Sequence, residues 1–228
     1  RMTLDFDGDG LMRFAVDEAV LENADGADSA VSNSGSISAE GGRVRLSGAA
    51  ARQVFSNVVN NEGVVSAGHI RKEGGSVRLA AADESGNASG GVVNTGEIDV
   101  SGGSESDGGE VAISGDRVVQ DGRVDASGGD GEATDGGQVE IASSGDAEQT
   151  ATADGGGSGD GGSVEVSAEG TNIARGKTSA TSGDDGGTGG EVDLEGERVG
   201  VTGMVDASGR DGGGSIRVGG GKKGEDPT

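Results

Sequence analysis

The sequence predicts an all-β protein, a right-handed parallel β-helix with three short strands per coil. Three observations predict it. A six-residue pattern, Gly-Gly-polar-Val/Ile-x-Leu/Ile/Val, occurs seven times, from Gly41–Leu46 to Gly213–Val218, at intervals of roughly 24 to 34 residues, the range of stacked-repeat proteins. A second pattern, Gly-x-Ile/Val-Ser/Asp-Ala/Val, lies just upstream of several copies. Apolar residues fall in alternating pairs at both places, which is strand periodicity.

The Gly-Gly strand is the clearest element. Its alternation predicts an inward set of Val44, Leu46, Val77, Leu79, Val111, Ile113, Val139, Ile141, Val164, Val166, Val192, Leu194, Ile216 and Val218. The second strand reads Ser36-Ile37-Ser38, Val64-Val65-Ser66, Glu97-Ile98-Asp99, Arg123-Val124-Asp125 and Met204-Val205-Asp206, with degenerate copies at Thr150–Ala153 and Thr178–Thr181. A third, looser strand follows each Gly-Gly motif and carries Val54 and Val58, Val92-Val93, Val118-Val119, Ile173, or Val199 and Val201. Three alternating strands per repeat describe a triangular coil.

Corners come next. Asn33-Ser34-Gly35, Asn61-Glu62-Gly63 and Asn94-Thr95-Gly96 share an Asn-x-Gly form, shortened once to Asp121-Gly122. Asn and Gly both tolerate left-handed backbone angles, and stacked Asn side chains can hydrogen-bond from coil to coil. Ser101–Asp107, Ser127–Asp135 and Ser182–Thr188 carry no core residues and are read as loops leaving one shared corner, where length varies cheaply. The chain divides into a lead-in segment or first coil (1–26), the β-helix repeats (27–219) and a flexible tail (220–228). Seven or eight coils at ~4.8 Å each give a stack roughly 35 Å tall.

Composition supports a thin stack over a compact globule. The chain has 51 Gly, three Phe, one Pro and no Cys, Trp or Tyr. Aromatics normally supply much of a globular core; a narrow coil needs only small aliphatic side chains. Collagen is excluded because Gly has no three-residue period. Ordered alternation argues against the disorder that a net charge of −24 would otherwise suggest. That charge disfavours nucleic acid, and no apolar run approaches the ~20 residues of a membrane helix. Arg1 opens the chain and no signal peptide is recognisable, so a piece of a longer protein is expected.

The stretch Gly8-Asp9-Gly10-Leu11-Met12-Arg13-Phe14-Ala15-Val16, continued by Val31-Ser32-Asn33-Ser34-Gly35-Ser36-Ile37-Ser38-Ala39-Glu40-Gly41-Gly42 and by Val58–Ala67, resembles the filamentous-haemagglutinin-like large exoproteins of bacterial two-partner secretion. The resemblance is strongest over residues 8–82. It implies a shaft fragment of a secreted, cell-surface adhesin or biofilm-matrix fibre, exported through an outer-membrane transporter partner. An exopolysaccharide or host-surface glycan is the implied ligand class. The family's N-terminal secretion domain, with its Asn-Pro motifs, is not in this sequence.

Candidate chemistry is sparse. Asp5, Asp7 and Asp9 before Gly10 match the opening of an EF-hand loop and are the candidate calcium ligands, although the closing Glu position is Val16. Gly128–Gly131 and Gly157–Gly161 resemble calcium-binding nonapeptides without their tandem nine-residue period. His69 is the only histidine and there is no cysteine, so no enzyme is expected and no cofactor is required, calcium being the one candidate. Arg45 and Arg78 occupy equivalent positions and predict a basic ladder on one face, for charge balance or an anionic polymer. A mechanical shaft is therefore the expected function, with a carbohydrate- or calcium-binding adhesive surface as the alternative. End-to-end or lateral self-association would cover exposed strand edges.

Overall fold

A computed structural model describes residues 3–4, 11–15, 28–48, 57–68, 75–82, 88–152 and 154–219. These residues contain strands, turns and bends but no helix. The strands stack in three parallel faces around one narrow core, a β-solenoid.

The first face is built by the Gly-Gly strands. Leu11–Ala15, Arg43–Gly48, Ser76–Ala81, Glu110–Gly115, Gln138–Ser143, Ser163–Ala168, Glu191–Glu195 and Ser215–Val218 pair in that order, each parallel to the next. Their register places Val44, Val77, Val111, Val139, Val164 and Val192 in one inward column, and Leu46, Leu79, Ile113, Ile141, Val166 and Leu194 in another. All twelve are at most 1% exposed. Ile216 and Val218 continue the same columns but are each 48% exposed, because no described rung covers their far side.

The second face stacks Ser29–Asn33, Asn57–Asn61, Gly91–Asn94, Arg117–Gln120, the start of Ala147–Thr152, the start of Thr171–Ser179, and Arg198–Val201. The third stacks Ser36–Ser38, Val64–Ser66, Glu97–Asp99, Arg123–Asp125, the ends of the same two long strands, and Met204–Asp206. Those two strands run round the corner without a break and fuse both faces into one hydrogen-bonded sheet. Each of these two faces has seven rungs, about six turns from the first to the last, and the first face has eight.

The second-face strands alternate in and out as expected, and one sequence expectation, about the corner glycines, needs correction. Asn172, fully buried, takes the inward position between Ala147 and Val199, while Ile173 pairs with Glu148 and Gly200 on the outward column. Val93 and Val119 likewise alternate outward beside buried Val92 and Val118. The corner glycines are not there for left-handed backbone. Positive φ is confined among the described glycines to Gly41, Gly90, Gly187 and Gly219. A Cβ on Gly63 or Gly96 would instead lie 2.0 Å from the carbonyl oxygen of Gly35 or Gly63 in the preceding coil. The second glycine of the Gly-Gly pair follows the same rule, since a Cβ on Gly137 would meet the Gly109 oxygen at 2.0 Å. Close coil stacking, not backbone conformation, selects glycine.

The lead-in is continuous with the solenoid at Leu11–Ala15, which is a rung of the first face. Thr3–Leu4 pairs antiparallel with Met12–Arg13 and covers that face's outer edge. Residues 220–228, the expected tail, lie outside the described residues, as do Val54 and His69.

Candidate functional site

The second-to-third-face corner is held by a buried amide ladder. Asn33 Nδ2 donates to Asn61 Oδ1 at 2.7 Å, Asn61 Nδ2 to Asn94 Oδ1 at 2.6 Å, and Asn94 Nδ2 to Gln120 Oε1 at 2.6 Å. Gln120 Nε2 then closes onto the Gly122 carbonyl at 2.9 Å. An Asn stack was expected; Gln120 as its fourth member was not, because Asp121-Gly122 hides the shared position. Beyond it the pattern changes: Thr178 donates to Gln149 Oε1 at 3.2 Å, and buried Gln149 Nε2 has no hydrogen-bond partner.

The opposite corner, between the third and first faces, carries the chemistry most open to solvent. It opens with an Asp-x-Ser turn: Asp99 Oδ1 accepts from the Ser101 backbone N–H and hydroxyl, Asp125 from Ser127 N–H, and Asp206 from both groups of Ser208. The Ser208 hydroxyl and N–H bonds hold Asp206 below the ordinary carboxylate range, with Lys177 adding to the effect. The loops that follow are not structureless. Ala133–Thr134 pairs antiparallel with Gly156–Gly157 of the next coil, and Thr134 Oγ1 donates to the Gly129 carbonyl.

Three successive loops return to the first face through an acid that immediately precedes the Gly-Gly pair, Asp107, Asp135 and Asp160, and Thr188 takes that place in the next coil. Asp107 Oδ1 accepts from Asp135 N–H at 2.9 Å, and Asp135 Oδ1 from Asp160 N–H at 2.9 Å. Asp160 Oδ1 accepts from Thr188 N–H at 2.7 Å and Thr188 Oγ1 at 2.9 Å. These two bonds, the backbone one first, lower the Asp160 pKa. The result is an exposed acidic row climbing one coil per residue. Its sequence signal was the recurrent acid in Glu40-Gly41, Glu73-Gly74, Asp107-Gly108, Asp135-Gly136 and Asp160-Gly161, which the six-residue pattern left out.

Beside this row lies an open groove of about 390 Å³, lined by Gly108, Gly109, Glu110, Gly136, Gly137, Gln138, Gly162 and Ser163. Its floor is glycine backbone and its far rim is the outward column Glu110, Gln138, Ser163. Such a surface offers hydrogen-bond acceptors in parallel rows to a polyhydroxylated chain, and negative charge to cations.

Of the residues singled out from the sequence, Asp5, Asp7 and Asp9 fall outside the described residues. Among the described residues, no three acidic or histidine side chains converge on a point that could hold a metal ion. Arg45 and Arg78 do stand in register on the first face. Comparison with protein-family models, with curated proteins and with solved structures returns no match.

Proposed function

We propose that this chain is a length of rigid shaft from a secreted bacterial surface fibre of the filamentous-haemagglutinin-like kind, projecting an adhesive tip or cross-linking a biofilm matrix. The observation that carries the reading is the unbroken coil-to-coil bonding: the first face pairs rung to rung from Leu11–Ala15 to Ser215–Val218, and an amide ladder braces one corner. A solenoid of this kind is stabilised by nearest-neighbour stacking, so it extends without a limiting core size. The motif resemblance over residues 8–82 supplies the fibre class, the extracellular location and the transporter partner used in export.

The acidic row and the glycine-floored groove favour a second reading, in which the shaft surface itself binds a glycan or calcium. One experiment separates them. In the full-length protein on its own cells, these coils are replaced by an equal number from an unrelated solenoid. A shaft predicts that adhesion or biofilm formation is kept, and that deletion of the same coils shortens the fibre. Loss of adhesion on replacement at equal length, with glycan binding by the isolated chain, would favour the adhesive surface and count against the shaft.

A further inference from the structure

Eight Asp-Gly pairs lie among the described residues. This dipeptide is prone to cyclise, because glycine places no side chain over its own nitrogen and leaves the backbone free to turn. Ring closure joins the Gly backbone nitrogen to the Asp Cγ. It is blocked wherever either group is held elsewhere.

Four pairs are held at both groups by a recurring clamp. Asp107 Oδ1 accepts from the Asp135 N–H at 2.9 Å, while Gly108 N–H donates to the Asp135 carbonyl at 2.9 Å. Asp135 and Gly136 grip Asp160 in the same way, at 2.9 and 2.9 Å. Asp160 and Gly161 grip Thr188 at 2.7 and 2.9 Å, and Asp154 and Gly155 grip Thr181 at 2.8 and 2.7 Å. In each clamp the carboxylate and the amide reach the N–H and the carbonyl of one residue of the next coil, so both bonds must break before the ring can close. Two further pairs are held at one group: Gly122 N–H donates to the Asn94 carbonyl at 3.0 Å, and Asp211 Oδ2 accepts from Gly187 N–H at 2.9 Å. Gly186, after Asp185, is buried and packs against Ser158 and Asp211. Asp130-Gly131 differs from all of these. Asp130 is exposed in the Ser127–Asp135 loop, Gly131 is half-buried, and no hydrogen bond among the described residues engages the Asp130 carboxylate or the Gly131 N–H. Glycine is nonetheless required at 131, because a Cβ there would lie 2.3 Å from the Ser104 carbonyl oxygen of the preceding coil. Stacking therefore keeps a labile dipeptide in this loop.

We propose that Asp130-Gly131 is a spontaneous modification site at which the folded chain converts aspartate to isoaspartate, and that the inter-coil clamps protect the stacked Asp-Gly pairs from the same reaction. The Gly131 nitrogen attacks Cγ of the protonated Asp130 carboxyl. A C–N bond forms, the nitrogen gives up its proton, the Cγ–OH bond breaks and one water leaves. Hydrolysis of the succinimide takes one water back. Opening at Cγ restores aspartate; opening at the main-chain carbonyl routes the backbone through Cβ and Cγ and leaves a free α-carboxylate. Composition is unchanged and the main chain gains one carbon. Residue 130 lies between the rungs Arg123–Asp125 and Gln138–Ser143, so that carbon falls outside the three stacked faces.

The eight identical dipeptides are their own control for intrinsic reactivity. The intact chain is aged for weeks at neutral pH and physiological temperature, and a parallel sample is aged in concentrated urea. Isoaspartate is then located by peptide mass spectrometry with electron-transfer fragmentation and counted by enzymatic carboxyl methylation. Circular dichroism melts before and after ageing check that the fold is kept. In the folded chain, isoaspartate at Asp130 is expected to accumulate at least tenfold faster than at Asp107, Asp135, Asp154 or Asp160, and faster than at Asp185, with the melt unchanged. In urea the rates at all eight should come within threefold of one another. Asp135 ageing as fast as Asp130 in the folded chain, Asp185 overtaking it, or a tenfold lead for Asp130 that persists in urea would each overturn the proposal.

Discussion

Asn94 sits in the middle of the amide ladder, fully buried, with both neighbours on it at 2.6 Å and also buried. Asn94→Ala removes two side-chain bonds. Gln120 Oε1 loses its donor in the core, while Asn61 Nδ2 keeps only a 3.4 Å contact to the Gly63 carbonyl. Two lost bonds at about 1 kcal/mol each, plus an orphaned buried acceptor at 1–3 kcal/mol, give a loss of about 3–5 kcal/mol. Asn60→Ala is the control: its side chain points outward and bonds Glu62 at the surface, so it should cost under about 0.5 kcal/mol. Asn94→Asp sharpens the test. Burial beside another acceptor raises the folded-state pKa of the new carboxyl, so the folded protein binds its proton more tightly and the penalty shrinks as pH falls. The assay is urea unfolding by far-ultraviolet circular dichroism, since the chain has no Trp or Tyr to follow by fluorescence. An Asn94→Ala midpoint indistinguishable from Asn60→Ala, or an Asn94→Asp penalty that grows on acidification, would refute the ladder as a stabilising element.

Val139 is fully buried in the first-face column between Val111 and Val164, so Val139→Asp strands a charge between coils and should cost more than about 4 kcal/mol by the same unfolding assay. Gly137→Ala brings a methyl to 2.0 Å from the Gly109 oxygen and should lower the melting temperature sharply, whereas Gly213→Ala meets nothing within 4 Å and should leave it unchanged or slightly raised. Asp160 and Asp206 have folded-state pKa values below the usual carboxylate range because Thr188 and Ser208 donate to them. Their stabilisation is present above the unfolded carboxylate pKa, about 4, and is lost as pH falls through the lower folded values. Ser208→Ala should therefore flatten the fall in melting temperature as pH drops below about 4, and Thr188→Val, which keeps the backbone N–H bond to Asp160, should do so less.

The parts legible in the sequence were those where one residue type answers one geometric demand. Alternation around Gly-Gly identified both inward columns of the first face, because a residue facing a coil only a few side chains wide must be small and aliphatic. Asn33, Asn61 and Asn94 announced their ladder by sharing a position before Gly. Gln120 escaped notice because its longer side chain reaches the same point from a shortened corner. Asn172 escaped for the opposite reason. Its amide satisfies the Val166 and Glu195 carbonyls at 3.1 Å, so a polar residue occupies a core slot beside Ile173, where no apolar residue marks it. The acidic row was visible as repeated acids before Gly-Gly, but in a chain with 41 Asp and Glu, abundance hid the position. Its role depends on a backbone N–H one coil away, which only stacking reveals. Arg45 and Arg78 were read as a ladder from their equivalent positions, and they stand in register.

The central claim is that every repeat, whatever its length, advances the chain by one rung. Spin labels on outward first-face positions measure this directly, using Glu191 as the fixed site and Glu110, Ser76 or Arg43 as its partner, in register three, four and five rungs away. Pulsed electron–electron resonance should return narrow distances of about 14, 19 and 24 Å, rising by one rung spacing each time. Broad distributions, or distances that follow the number of intervening residues in place of the number of rungs, would contradict the stacked-coil account.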